Sequence, residues 1–307
     1  MKVVIPDLVS NSYFPAIAAV EMGFFKAEGI DAELELIYPV GKCYDALRDG
    51  KVDFVGGSSH SAPTSFAEWQ GVKFLGALAQ HTYWFLIMRK DLNVKRGDVS
   101  AVKGRRIGAA PLIDIGLIEL LKESGIDPKR DGVQIAPPPM PAVPNVSFGV
   151  NAAQAMADGK IDGFWANGMG AEVAIERGLG TLVLDARRGD GPASLRGYTF
   201  GVLATRADLV EKQPDVAAAA VRALVKTQKA LKEDPKRATK VGEKWFPAFE
   251  ASLIAKLIER DLPYYDPAIS RSAFDSMCKF AQTTGLTKGV GKYADVVATP
   301  YANLWKV

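Results

Sequence analysis

Asp45-Ala46-Leu47-Arg48-Asp49-Gly50-Lys51-Val52-Asp53-Phe54-Val55 is answered later in the chain by Gln154-Ala155-Met156-Ala157-Asp158-Gly159-Lys160-Ile161-Asp162-Gly163-Phe164. Both stretches read as the end of a short helix, a glycine, and an aspartate entering an apolar strand. Glycine ends a helix cheaply because it takes the left-handed conformation without a Cβ clash.

Outward from each copy the order of elements is the same. Before the first lie a strand (Val3–Ile5), a polar loop (Ser10–Tyr13), a helix from Phe14 to Lys26 and a strand over Ala32–Ile37. Before the second lie a strand (Arg106–Ala109), the loop Pro111–Asp114, a helix over Gly116–Glu123 and a strand over Val133–Ala136. Two β-α-β-α-β units predict two lobes, each a mostly parallel sheet flanked by helices. The extended apolar run Tyr83–Arg89 leaves the first lobe and Gly197–Ala204 returns to it, which makes a two-strand hinge. The expected lobes are 1–88 with 198–307, including the C-terminal helices, and 89–197.

The chain has 307 residues, 48% of them hydrophobic and 24% charged, a globular mixture with room for two cores. A net charge of +3 without a basic block argues against a nucleic-acid partner. No apolar run approaches the roughly 20 residues of a membrane span. No secretory segment precedes the first strand, which leaves a cytoplasmic protein and a trimmed leader both open. Cys43 and Cys278 form neither a disulfide framework nor a metal motif, and no cofactor is expected.

In open parallel sheets ligands bind beyond the carboxyl ends of strands, where helix N-termini favour anions and strong acceptors. That rule selects a few loops. Ser10, Asn11 and Tyr13 follow the first strand and either cap the next helix or meet a ligand. Lys42 stands before a helix over Tyr44–Arg48, as a solvated lysine or a ligand charge. Gly56–Pro63 opens a helix running through Phe66 to Trp69. Its Ser58, Ser59 and His60 exceed what one cap needs, which points to ligand contact. His81 starts the first crossing, facing the cleft or satisfied in a core. In the second lobe Ile113 and Asp114 match the first loop, Asp114 also reading as an N-cap. Trp165 and Asn167 match the serine-histidine loop, and an indole and an amide suit a planar substrate. Trp165 reads equally as core. Pro137–Asn145 is too proline-dense for regular structure and is expected as a stiff rim loop, the alternative being a PxxP partner ligand.

The run Phe14–Ile30, with Met22-Gly23-Phe24-Phe25 and Glu28-Gly29-Ile30, resembles the opening motif of one solute-binding family. That family comprises the nitrate, sulfonate and taurine-type binding proteins and the thiamine-pyrimidine synthase-like proteins. Gly41…Ala46-Leu47…Gly50…Asp53, Val102–Gly108 and Asp158–Asp162 look like its further motifs. The resemblance spans Ser12 to Ala204 in order. It implies a periplasmic-binding-protein-like (type II) α/β fold, a periplasmic location, and a permease and ATPase of an ABC importer as partners; the protein itself is expected to be a monomer. It also places binding residues in Ser10–Tyr13, Gly41–Lys42, Ser58–His60, Pro111–Asp114 and Asn167. The expected solute is a small organic anion, an aromatic or heterocyclic carboxylate or a sulfonate, since Lys42, His60 and His81 suit an anion and Tyr13, Trp84 and Trp165 a planar body. The alternative is an enzyme on the same fold, thiamine-pyrimidine synthase-like or decarboxylase- or dehydratase-like. Against it, no partnered nucleophile and base, cysteine cluster or paired carboxylates stand in the candidate loops.

Overall fold

Both echoed turns close with the same hydrogen bonds. In the computed structural model, which describes residues 1–138 and 147–306, Lys51 N–H donates to Ala46 O at 2.9 Å and Gly50 N–H to Leu47 O at 3.1 Å. Lys160 and Gly159 repeat this on Ala155 O at 2.9 Å and Met156 O at 3.1 Å. This bonding ends a helix on a left-handed residue, and Gly50 and Gly159 have φ of 70° and 68°. Each aspartate then fixes a neighbouring strand. Asp53 Oδ2 accepts from Lys2 N–H at 2.8 Å, and Asp162 Oδ2 from Arg106 N–H at 2.9 Å. The motif therefore stops one helix and sets the start of a parallel strand pair.

The strands are β1 (Lys2–Ile5), β2 (Glu33–Leu36), β3 (Phe54–Ser58), β4 (Val72–Ala79), β5 (Phe85–Arg89), β6 (Arg106–Ala109), β7 (Gln134–Ala136), β8 (Gly163–Ala166), β9 (Gly180–Asp185) and β10 (Gly201–Arg206). They form two five-stranded sheets, β2-β1-β3-β10-β4 and β7-β6-β8-β5-β9. β1 runs parallel to β2 and β3, as β6 does to β7 and β8. One strand in each sheet runs against its neighbours: β10 against β3 and β4, β5 against β8 and β9. These are the strands whose chain has just crossed from the other sheet, so each pass is held by ladders on both sides. The result is a two-lobed α/β fold of two mixed sheets flanked by helices.

The first lobe carries α1 (Phe14–Glu21), α2 (Phe24–Ala27) and α3 (Val40–Arg48), and the second α4 (Asp114–Glu123), α5 (Phe148–Ala157) and α6 (Gly168–Glu176). After β10 come α7 (Ala207–Lys212), α8 (Pro214–Glu233), α9 (Arg237–Trp245), α10 (Ala248–Asp261), α11 (Arg271–Thr283) and α12 (Tyr293–Val296). α8 lies against α1 and β4, whereas α10 lies against both α9 and α6 of the second lobe. Two expected helices differ. The span Phe14–Lys26 breaks at Gly23, whose φ of 76° ends α1 before α2 begins. The stretch through Phe66 to Trp69 is not one helix but two 3₁₀ turns, Ser59–Thr64 and Ala67–Trp69. Pro63 lacks the N–H an α-helix needs there, and Glu68 and Trp69 have φ of 54° and 65°. Residues 139–145, most of the expected proline rim loop, lie outside the described residues.

Candidate functional site

β1, β6 and β8 bring their carboxyl ends to one cleft between the lobes. Pro6 and Asp7 follow β1, Pro111 and Ile113 follow β6, and Ala166 and Asn167 close β8. The cleft holds about 490 Å³ of empty space, part of it open to solvent. Its walls are aromatic: Tyr13 and Tyr38 from the first lobe, Tyr83 and Trp84 from the crossing, Phe148 from the start of α5. Tyr13 and Tyr83 meet edge to face at 5.8 Å, with Tyr83 O–H donating to Tyr13 Oη at 3.3 Å. Trp84 stands over Gly116 of α4, where a Cβ would come within 2.1 Å of the indole. A glycine in this helix is therefore what admits the tryptophan.

Among the described residues Asp7 is the one carboxylate on the wall. Its Oδ2 accepts from Ser147 Oγ at 2.8 Å and from Asn167 Nδ2 at 3.0 Å, both in the second lobe. Ser147 and Asn167 are themselves N-caps, accepting from Gly149 N–H and Gly170 N–H at 3.1 Å each. The starts of α5 and α6 lie together because Gly149 and Gly170 pack backbone to backbone; a Cβ on Gly170 would sit 2.4 Å from the Gly149 carbonyl carbon. Two helix N-termini thus face one carboxylate, an arrangement that favours negative charge. Asp7 as a residue is partly exposed, yet its Oδ1 is shut off from solvent and accepts no well-formed hydrogen bond among the described residues. Burial pushes the carboxyl up to about 7, against the pull of the Ser147, Val9 and Asn167 hydrogen bonds.

Of the residues singled out in the sequence, Tyr13, Trp84, Pro111, Ile113 and Asn167 line the cleft. The others stand elsewhere. Ser10 Oγ accepts from Ser12 N–H within its own loop. Asn11 donates to buried Asp261 at 2.6 Å and packs on Gly168 at the start of α6. Lys42 is exposed on α3. Ser58 pairs with Ser61 at 2.7 Å, and Ser59 accepts from Phe200 N–H at 3.2 Å. His60 is buried between Thr199 Oγ1 at 2.8 Å and Leu112 O at 3.0 Å, bridging the lobes behind the cleft. His81 borders a different surface hollow with Arg196 and Ser270. Asp114 is the first residue of α4 rather than its cap, its Oδ1 accepting from Ile115 N–H. Trp165 points into the core, because side chains alternate along β8 and its neighbour Ala166 takes the cleft side. Sequence reasoning missed Asp7, Tyr38 and Phe148. The signal for Asp7 was its place directly beyond Ile5, at a strand's carboxyl end.

Two α/β lobes joined by two passes, with a cleft at the strand ends, define the periplasmic-binding-protein fold. The chain belongs to the NMT1/THI5-like family, whose model matches residues 10–238. No curated protein matches the sequence. Among solved structures, a protein from Bordetella bronchiseptica RB50 is 19% identical with a TM-score of 0.77, over 98% of this chain and 95% of that one. A putative sulfonate ABC transporter's periplasmic sulfonate-binding protein SsuA, from Methylobacillus flagellatus KT, is 17% identical with a TM-score of 0.67, over 99% and 94%. The fold also serves an enzyme: the desulfurization enzyme DSZB is 16% identical with a TM-score of 0.61, over 98% and 97%. At these identities the likeness is one of fold.

Proposed function

We propose that this chain is the periplasmic solute-binding component of an ABC importer, closing its lobes over a small planar aromatic or heterocyclic molecule for delivery to a permease and its ATPase. The lobes 1–88 with 198–307 and 89–197 are the units that close, and the protein works as a monomer. The observation that carries the reading is the aromatic wall drawn from both lobes and the crossing: Tyr13, Tyr38, Tyr83, Trp84 and Phe148 around one cleft. Stacking and edge contacts on such rings favour a flat ligand. The expected anionic head finds no cationic side chain among the described lining residues, with Lys42 and His81 both outside the cleft. The planar half of the expectation is the half the lining supports.

An enzyme on this fold is the second reading, favoured by the likeness to DSZB. Among the described residues the cleft lining supplies no thiol, imidazole or amine. The Cys43 thiol donates to Ile37 O at 2.9 Å inside the first lobe, where burial pushes its pKa upward. A thermal-shift screen of flat heterocycles, aromatic carboxylates, sulfonates and sugars tests capture. A ligand at a hundredfold its Kd adds about 2.7 kcal/mol to the folded state and raises the midpoint. Stabilisation by sugars alone defeats the planar reading. Mass spectrometry of the incubated hits, with unchanged ligand recovered, separates carrier from catalyst.

A further inference from the structure

We propose that Asp7 sets the specificity of the cleft: its free oxygen, Oδ1, accepts a hydrogen bond from an amino or ring N–H group of the bound solute. The inference rests on the capture reading above and narrows its substrate class to flat rings that carry a donor.

The two carboxylate oxygens live in different surroundings. Oδ2 is occupied by Ser147 Oγ and Asn167 Nδ2. Oδ1 is closed to water and accepts no well-formed hydrogen bond among the described residues, the Val9 and Phe148 N–H groups standing near the carboxyl. Buried polar atoms are almost always paired, and leaving an acceptor bare is costly. No cationic side chain among the described residues lines the cleft to compensate it. The missing donor therefore comes from what fills the cleft, held flat by the tyrosines and Trp84. The solute also meets a carboxylate already tied to both lobes, so its donor is read only in the closed arrangement.

Asn167 Nδ2 can only donate. Ser147 Oγ accepts from Gly149 N–H and Asn167 Nδ2 and spends its own proton on Asp7. In Asp7→Asn the new amide must keep its oxygen toward these two groups. Its NH₂ then takes the place of Oδ1 and points a donor into the cleft. The substitution preserves shape and inverts the preference.

Isothermal titration of the full chain at pH 8 tests this with matched probes: indole against benzofuran, and 9-methyladenine against 6,9-dimethylpurine, with 1-indanone as the carbonyl-bearing ring. Wild type is expected to favour the N–H or amino member of each pair by roughly ten- to hundredfold. D7N loses that ratio and binds 1-indanone more tightly than wild type does. Equal affinity of wild type for both members of each pair overturns the inference, as does a D7N protein that keeps the wild-type ratio. The wild-type ratio decides the matter alone should D7N fail to fold. If wild type takes no flat ring at all, the capture reading falls first and this one with it; binding without discrimination defeats this one only.

Discussion

His60 works as a neutral imidazole between the lobes. Leu112 O can only accept, so Nε2 carries the proton and Nδ1 accepts from the Thr199 hydroxyl; the tautomer follows from the partners. Trp84 and Phe280 close edge to face on the ring at 5.5 and 5.6 Å. Burial lowers its pKa from the ordinary 6.5 to about 4, the Leu112 carbonyl opposing. Its contribution to stability is therefore complete above pH 6.5 and is lost as pH falls toward 4, because only the unfolded chain takes up the proton in that window. At pH 5 the loss is about 2 kcal/mol. Urea unfolding of wild type and His60→Gln at pH 7 and pH 5 isolates this: the variant is expected to lose less between the two pH values by about that amount. Equal losses would mean that His60 is charged, or accessible, in the folded protein. His81, also lowered to about 4, is common to both proteins and cancels. The loop Gly56–Pro63 was legible as donor-rich, but its use was not. The partners of His60, Leu112 and Thr199, lie in the other lobe's first loop and on the return pass, and the left-handed φ of 69° at Leu112 has no sequence mark.

Helix starts α5 and α6 act as one unit, and Gly149 and Gly170 are the reason. A methyl at Gly170 meets Gly149 main-chain atoms at 2.4 to 2.6 Å, with no flexible side chain to give way. Gly170→Ala is expected to push the helices apart, cost about 1–3 kcal/mol as an overpacked contact, and draw Asn167 and Ser147 off Asp7. Thermal unfolding reads the first effect and indole titration the second. A variant with wild-type midpoint and affinity would show that the two starts need not touch. What was readable at this scale is what is local: a glycine after a helix, an aspartate before a strand, alternating β and α runs. The contact of α5 with α6 joins residues whose sequence context marks only a glycine inside a helix. The 3₁₀ turns after β3 stand where a helix was expected, because Pro63 falls inside the first turn and the left-handed φ of Glu68 and Trp69 has no sequence mark.

At the scale of the whole molecule the lobes also touch outside the cleft. α10, which follows the return to the first sheet, reaches the second lobe through charges on α6. Glu172, nearly buried, takes Lys256 Nζ at 2.7 Å and Arg260 Nη1 at 2.9 Å, and Lys256 also meets Glu176 at 2.5 Å. Arg177 lies over the Phe249 ring at 4.8 Å and pairs with Glu250 at 3.6 Å. Burial alone would raise the Glu172 carboxyl, but the two cations outweigh it and hold it below the ordinary range. The repeat announced two lobes; it said nothing of α10, since an amphipathic helix shows which face it buries and not which sheet it buries it on. The consequence is that the cleft and its latch are separable. Glu172→Gln removes the charge both cations share while leaving every cleft wall in place. Hydrogen bonds to charged groups are worth about 1.5–3 kcal/mol, reduced here because Lys256 and Arg260 are partly exposed. The unliganded variant is expected to open, with a larger radius of gyration in solution scattering. Its affinity for indole should fall in proportion to the lost closed fraction, because apparent affinity scales with the population able to bind. Saturation with indole should return the scattering curve to that of the wild-type complex, since the contacts that close over the ring are intact. If the free variant scatters like wild type and binds as tightly, the Glu172 pairs do not hold the second lobe, and closure rests on the other contacts between the lobes: Asp7 with Ser147 and Asn167, His60 with Leu112, and the buried Arg187–Asp261 pair.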